Sequence, residues 1–344
     1  MRICEILAST GEGGLEKHML DLCNTMASLG HDVHVIVDPY FADRFEPAVQ
    51  VHSLNMGRSR NNPVLLWQLY RLISDINPDV VHAQANKAAS LVARIKGFLT
   101  RPCVGTIHNQ KSKSAMFSSL DGVIGVSQGA CSVVNNTNTH CVYNGVALDA
   151  QLSRDSARDT LLTLSGASGE RPIAVALVRL VDVKRVDLLL QAWEGIPADL
   201  LILGDGPLMA SLKAQAAPLI ESGNVHFCGF VKDAAMLLPG ADFMVISSDR
   251  EGFPYSMVEA LCAGVPVLST EVAAAKEMLP ASLRVPLGDA RGLAEKVAHF
   301  LNAPEAYEDD LSALFERARR QLNVAYMTRE TVAFLESITA QAKM

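Results

Sequence analysis

At 344 residues the chain is long enough for two domains, each able to bury its own core, and 49% hydrophobic content with 23 Gly and 15 Pro is ordinary for an α/β protein. Residues 1–150 hold twelve Lys/Arg and twelve Asp/Glu, whereas the remainder holds 18 and 25, so the second half carries the whole net charge of −7 and argues against nucleic acid as a partner. No apolar run approaches the ~20 residues that span a bilayer, and Met1 to Glu5 enter a strand pattern with no basic-then-apolar export segment, which predicts a cytoplasmic protein.

Seven scattered cysteines without a CxxC read as small buried residues in a reducing compartment, and the nine histidines show no ligand spacing, so no metal site and no cofactor is expected. Arg2 to Ala8 predicts a first strand. A glycine-rich turn, residues 9–14, precedes an amphipathic helix from about Leu15 to Leu29. Such a turn can offer backbone N–H groups to a phosphate, although the dinucleotide fingerprint G-x-G-x-x-G is not matched. Val33 to Val37 and Val49 to Leu54 read as strands, Pro63 to Ile76 as a helix with Leu65, Leu66, Leu69, Leu72 and Ile73 on one face, and Val80 to His82 as a strand end. Ala85 to Leu99 is helical. Cys103 to Ile107 is a strand that delivers His108 to its C-terminal end; on spacing alone a histidine there is as readily structural as catalytic. Asp121 to Val126 and His140 to Val142 complete a parallel set. Local cations (Arg58 and Arg60; Arg94, Lys96 and Arg101; Lys111 and Lys113) are solvated surface by default. On one face they could meet anionic lipid or a phosphorylated acceptor.

Residues 151–171 are weakly patterned and polar, with a short helix candidate at Ala157 to Leu164, and an interdomain linker is placed there, dividing a 1–150 domain from a 172–323 domain. The second domain restarts at Ile173 to Leu177. Arg179 and Lys184 straddle the following turn, from which both could reach one diphosphate, Arg bidentately and Lys as a point charge. Leu200 to Leu203 leads into Gly204-Asp205-Gly206-Pro207 and a helix to about Glu221, and Val225 to Cys228 is followed by Gly229-Phe230-Val231. Phe243 to Ile246 then enters SSDREGFPYSMVEALCAGVPVLST. That unit reads strand, loop, helix, strand, with Gly264 and Pro266 ending the helix. It places Glu251 in the loop, next to Gly252 and Phe253, and Glu259 in a helix otherwise apolar. A lone glutamate there would usually be solvated, but two bracketing a Gly-Phe-Pro turn suit a site that bonds the hydroxyls of a ribose or hexose.

EGFPYSMVEALCAGVPVLST resembles the E-x7-E signature of retaining, nucleotide-sugar-dependent glycosyltransferases of the GT-B fold, glycosyltransferase family 4. STGEGGLEKH resembles that family's N-terminal GG-x-E turn, Arg179-Leu180 with Lys184 its RL-x3-K motif, and Gly204 to Pro207 its G-x-GP turn. The resemblance implies two Rossmann-like domains facing a cleft, with the last helix, 324–344, crossing back to the N-terminal domain. It implies donor binding by Gly13, Gly14, Arg179, Lys184, Gly204, Gly206, Phe230, Val231, Glu251, Gly252, Phe253 and Glu259, with Glu259 on the ribose. Glu251, His108, Arg179 and Lys184 would carry catalysis. The chain departs from the pattern in three places: Val178 and Arg185 stand where the family often has glycine, and alanines 273–275 replace a glycine-rich turn before Glu277.

The expected activity is metal-independent hexosyl transfer from a nucleoside diphosphate sugar, UDP-sugar favoured, to a glycan or glycolipid acceptor in lipopolysaccharide, capsule or exopolysaccharide synthesis. Contact with the cytoplasmic membrane face is left open. The competing readings are a nucleotide-sugar epimerase or hydrolase on the same fold, and a non-catalytic nucleotide-binding partner of a transferase.

Overall fold

The computed structural model describes residues 1–11, 13–108, 115–147 and 152–343; Lys111 and Lys113 lie outside them. The chain divides into two compact units, Met1–Gly145 with Asn323–Met344, and Val146–Leu322. The first unit alternates β1 (Arg2–Leu7), α1 (Gly14–Ser28), β2 (Asp32–Val37), β3 (Gln50–Ser53), α2 (Pro63–Ile76), β4 (Val80–Gln84), α3 (Ala85–Ile95), β5 (Cys103–Ile107), α4 (Ala115–Ser118), β6 (Gly122–Gly125), α5 (Gln128–Cys131) and β7 (Thr139–Cys141). Its strands are parallel, in the order β3-β2-β1-β4-β5-β6-β7. Helices cover both faces of such a sheet, so its central strands are buried almost throughout, and all five residues of β5 are buried, while the edge strands β3 and β7 are half-exposed. Local chemistry sets the helix ends. Asn62 accepts a hydrogen bond from the Leu65 N–H at 3.0 Å, Pro63 takes the first helical position, and Asn77 stops α2 in the left-handed conformation.

The second unit runs α6 (Arg154–Ser165), β8 (Ile173–Leu177), α7 (Val186–Ala192), β9 (Asp199–Leu203), α8 (Met209–Gln215), α9 (Ala217–Glu221), β10 (Val225–Gly229), β11 (Phe243–Ile246), α10 (Tyr255–Cys262), β12 (Val267–Thr270), α11 (Ala273–Met278), β13 (Arg284–Val285), α12 (Ala290–Asn302) and α13 (Glu308–Gln321). Its parallel strands are ordered β10-β9-β8-β11-β12-β13. Its core holds Trp193, Phe243, Phe300 and Tyr307 in ring contact, with the Trp193 indole N–H donating to the Ala198 carbonyl at 2.9 Å. The last helix, α14 (Val324–Gln341), belongs to the first unit, where Met327, Leu335 and Ile338 join the core of β1, β2 and α1. This is the expected crossing back.

Residues 151–171 do not form the linker expected from their polarity. Ser153 caps α6, and the helix packs into the second unit so closely that a Cβ on Gly240 would sit 2.3 Å from the Arg158 nitrogen. Arg158 also donates to the Gly240 carbonyl, and with Arg154 it pairs with Asp242. The polar composition reflects a helix that buries only Ala157 and Leu161. The boundary therefore falls at Gly145/Val146 rather than at residue 150. The helix expected over 208–221 is broken at Ala216, because Pro218 stands in the first turn of a new helix and has no N–H to give to the old one. Lys184 closes a 3-10 turn, Asp182–Lys184, ahead of α7. All seven cysteines are free, with Cys4, Cys23, Cys103 and Cys262 buried and the other three half-buried. No helix among the described residues is long and apolar enough to cross a membrane.

In each sheet the strand order reverses once, between β1 and β4 in the first and between β8 and β11 in the second. Open α/β sheets bind ligands outside the C-terminal strand ends at such a point.

Candidate functional site

The loops after β8 and β11, which flank the reversal in the second unit, meet through side chains predicted from sequence. Lys184 Nζ lies 2.5 Å from Glu251 Oε1, with the two side chains 24% and 11% exposed. The same carboxylate oxygen accepts from the Ser248 hydroxyl at 2.6 Å. Ser247 donates to the Lys184 carbonyl at 2.9 Å, the Asp249 N–H donates to the Val183 carbonyl at 2.9 Å, and Thr270 holds the Ser248 carbonyl from β12 at 2.6 Å. Lys184, Ser248 and Glu251 line one small cavity with Val178 and Ser256. A cation held this way is neutralised at rest and stands at a strand-end crevice, where an incoming anion can compete for it.

The neighbouring strand ends are laced by main chain. Val178 N–H donates to the Leu203 carbonyl at 3.0 Å, Leu180 N–H to Asp205 at 2.9 Å, and Gly204 N–H to Gly229 at 2.7 Å. A Cβ on Gly204 would lie 1.8 Å from the Val178 oxygen, and one on Gly206 would lie 2.4 Å from the Leu180 oxygen. The two glycines are thus required by the approach of the 178–180 segment, a structural role that their reading as donor contacts did not include. Arg179 is carried on that segment and exposed, Phe230 stands 73% exposed after β10, and Val231 is half-buried. Phe253 is buried, so its ring serves the core, and Gly252 is buried beside it. Glu259 is half-buried on α10. Arg185 adopts the left-handed backbone (φ 51°), where the family resemblance expects glycine, and its side chain spans Asp187 at 3.1 Å and Asp249 at 3.3 Å. In the alanine run, Ala274 and Ala275 are fully buried in α11.

The first unit holds Gly13, Gly14 and His108. Gly13 precedes α1 and Gly14 opens it. Glu16, in the first turn, accepts a 2.5 Å hydrogen bond from Ser9, and its Oε2 would lie 3.6 Å from a Cβ on Gly13. The helix N-terminus expected to meet a phosphate therefore already has a carboxylate of the chain beside it.

Past the β1/β4 reversal, the strands carry a polar chain that the sequence did not reveal. His82, fully buried, contacts Glu5 Oε1 through Nδ1 at 2.7 Å and Thr106 Oγ1 through Nε2 at 2.7 Å. Gln84 Nε2 donates to Glu5 Oε2 at 3.0 Å, and Gln84 Oε1 lies 2.9 Å from His108 Nε2. His18 of α1 meets the His108 ring edge-on at 4.7 Å and reaches Asn144 at 3.1 Å. Burial, reinforced by the neighbouring His18 and His82, holds the His108 pKa well below 6.5. Burial and His82 bring His18 down to about 4. The signal for Glu5 was present in the sequence: a carboxylate inside the buried strand RICEIL needs a partner.

With that geometry in place, comparison with known proteins is direct. Residues 12–150 match the family model Glycosyltransferase Family 4, and residues 171–303 match Glycosyl transferases group 1. N-acetyl-alpha-D-glucosaminyl L-malate synthase of Bacillus anthracis is 23% identical, covering 92% of this chain and 91% of its own. Phosphatidyl-myo-inositol mannosyltransferase of Mycobacterium leprae is 25% identical, with 90% and 89% covered. In fold, the chain is similar to Anabaena Alr3699/HepE, solved in complex with UDP and glucose: TM-score 0.85, 19% identity, 98% of this chain and 100% of that one. The match to sucrose-phosphate synthase of Thermosynechococcus elongatus has TM-score 0.82 at 18% identity, with 99% of each chain covered. Both units, each an α/β layer on a parallel sheet, thus fall within the GT-B architecture along nearly the whole chain. The chain belongs to glycosyltransferase family 4, and it is a glycosyltransferase.

Proposed function

We propose that this glycosyltransferase moves a hexose from a nucleoside diphosphate sugar, UDP-sugar favoured, to an acceptor hydroxyl with retention at the anomeric carbon. The observation that carries the reading is the Lys184–Glu251 contact at the β8/β11 reversal, a cation poised at the strand-end crevice. In the reaction the anomeric carbon–oxygen bond to the diphosphate breaks, the acceptor oxygen bonds to that carbon on the same face, and the acceptor proton leaves with the diphosphate. Arg179 and Lys184 stabilise the charge that builds on the leaving group, the term that usually dominates such catalysis. With these cations on the leaving group, the reaction needs no metal. Glu259 holds the ribose, main-chain groups at Phe230 and Val231 hold the base, and Glu251 and His108 orient the sugar. UDP is favoured because the similar Anabaena protein was solved with it.

The acceptor belongs to cell-surface glycan synthesis, and the protein works at the cytoplasmic face of the membrane. Two kinds of relative carry names of enzymes acting on lipids, phosphatidyl-myo-inositol mannosyltransferase and alpha-monoglucosyldiacylglycerol synthase. The surface that fits an anionic bilayer is the outer side of α2, where Val64, Trp67 and, beyond it, Phe98 are 48%, 60% and 75% exposed. Phe98 meets Tyr70 of α2, and Arg94 reaches Asn61 before it. Residues 55–101 carry seven Lys/Arg against two Asp/Glu in a chain of net −7.

The test is a metal-free thermal-shift titration of wild type and Glu259→Ala with UDP, GDP, ADP and dTDP, followed by co-sedimentation with phosphatidylglycerol vesicles. One diphosphate, UDP, raises the melting temperature, and Glu259→Ala removes most of that rise. Binding to none of the four would sink the donor reading, and equal sedimentation with neutral and anionic vesicles would sink the membrane contact.

A further inference from the structure

Gln84 is 1% exposed and stands at the junction of β4 and α3, where no loop intervenes. The chain makes that turn by placing Ala85 in the left-handed region at φ 62°, a conformation that strains a residue with a Cβ. Strain of this kind persists where surrounding structure requires the position, and the group it positions here is the Gln84 amide.

The amide has one acceptor and two donors, and its neighbours fix which end faces which. A glutamate carboxylate accepts hydrogen bonds only, so Glu5 Oε2, 3.0 Å away, takes the nitrogen end. The oxygen end then faces His108 Nε2 at 2.9 Å, and an oxygen acceptor there requires a proton on Nε2. His108 stays neutral near pH 7, so its ring carries that one proton and Nδ1 keeps a lone pair. Turning the amide over would set its oxygen against the Glu5 carboxylate, acceptor against acceptor, and that bond would be lost even with the ring proton moved to Nδ1 so that Nε2 accepts from the NH2. His82 supports the arrangement from behind by holding the other Glu5 oxygen at 2.7 Å and anchoring to Thr106.

We propose that Glu5 and Gln84 are positioning residues that hold His108 in its Nε2–H tautomer and leave Nδ1 as a hydrogen-bond acceptor. The ligand atom that meets it must then be a donor, a sugar hydroxyl or amide N–H, and a sugar carboxylate is disfavoured because its oxygens would oppose the imidazole lone pair. This step rests on the reading of His108 as facing the donor sugar. The tautomer itself does not, and it can be measured in the free protein. Among the described residues, the titratable groups facing the ring are His18 from α1 and His82 from β4, with Glu5 of β1 beyond Gln84.

The experiment is a long-range 1H–15N correlation spectrum of the imidazoles in the full-length chain between pH 6 and 8. The His108 signals are identified by their loss in His108→Asn. Wild type should show Nε2 protonated and Nδ1 bare. Gln84→Leu, similar in size but without an acceptor, should lower the ratio of the two tautomers about fivefold or more, the weight of one buried hydrogen bond. Wild-type His108 protonated on Nδ1 would overturn the proposal whatever the variant does, since it would mean the amide is turned over. An unchanged Nε2–H ratio in a folded Gln84→Leu would overturn it too. Failure to bind any nucleoside diphosphate would sink the donor reading and leave the tautomer result standing, so the two can fail separately.

Discussion

The two sheets present opposite kinds of chemistry at their C-terminal strand ends. In the first unit the groups are buried and linked in a fixed chain, Thr106–His82–Glu5–Gln84–His108, with His18 against its end. In the second they are charged and partly open: Arg179 exposed, Lys184 on Glu251, and Arg185 on Asp187 and Asp249. Buried hydrogen bonds give orientation, because the low local dielectric penalises every alternative arrangement. Charges that keep some contact with water are screened more than fully buried ones and can exchange partners when a stronger anion arrives. One unit is built to be rigid and the other to respond to charge.

The largest expected effect lies on the responsive side. Lys184→Ala should lower kcat by about 10²–10³-fold, the usual cost of removing one group that stabilises developing negative charge. It should lower unfolding free energy by about 1–2 kcal/mol, since Glu251, 11% exposed, loses its cation but keeps Ser248. Initial rates with the donor that wild type accepts, alongside melting curves, check both halves. A stability loss as large as the activity loss would mean that the pair is a core strut and the contrast between the units is false.

The rigid side should reveal itself through pH. His18 is neutral in the folded chain with its pKa lowered to about 4, and in the unfolded chain it titrates near 6.5. Below pH 6.5 the unfolded state therefore binds more protons, so the stability present above that pH is lost as pH falls from about 6.5 toward 4. By pH 5 the loss from this residue is roughly 2 kcal/mol. His108, lowered for the same reason, acts in the same direction. Denaturant melts at pH 7.5 and pH 5 on wild type and His18→Asn measure it. If the variant loses as much stability on acidification as wild type, His18 is not the buried neutral group described.

Much of the responsive half was legible in the sequence because its chemistry is local. Glu251 and Glu259 sit in one unit of strand, loop and helix, and Arg179 and Lys184 straddle one turn. That Lys184 and Glu251 touch was not legible, since they are 67 positions apart and meet only because β8 and β11 are neighbours. The rigid half was the harder to read. His108 could be placed by its strand, but Glu5 and Gln84 lie inside runs that otherwise read as apolar parallel strand, where polarity looks like noise until a partner is seen. The pattern shows a helix at Ala157 to Leu164 but not that it packs into the second unit, because a helix held through backbone contact and arginines shows little apolar periodicity.

The smallest effect tests the turn that carries Lys184. Arg185 has φ 51°, a conformation that costs a residue with a Cβ about 1–2 kcal/mol and costs glycine almost nothing. Against that strain stand its pairs with Asp187 and Asp249, both partners more than 40% exposed and together worth under about 1 kcal/mol. Arg185→Ala keeps the strain and loses the pairs, whereas Arg185→Gly loses both and adds about 0.5–1 kcal/mol of unfolded-chain entropy. The glycine variant should therefore be more stable than the alanine variant by up to about 1 kcal/mol, and close to wild type. Both should keep Lys184 in place and hence most of the activity. Equal stability of the two would show that the left-handed turn is not a constraint at 185, and would remove the reason why a glycine suits the position after this lysine.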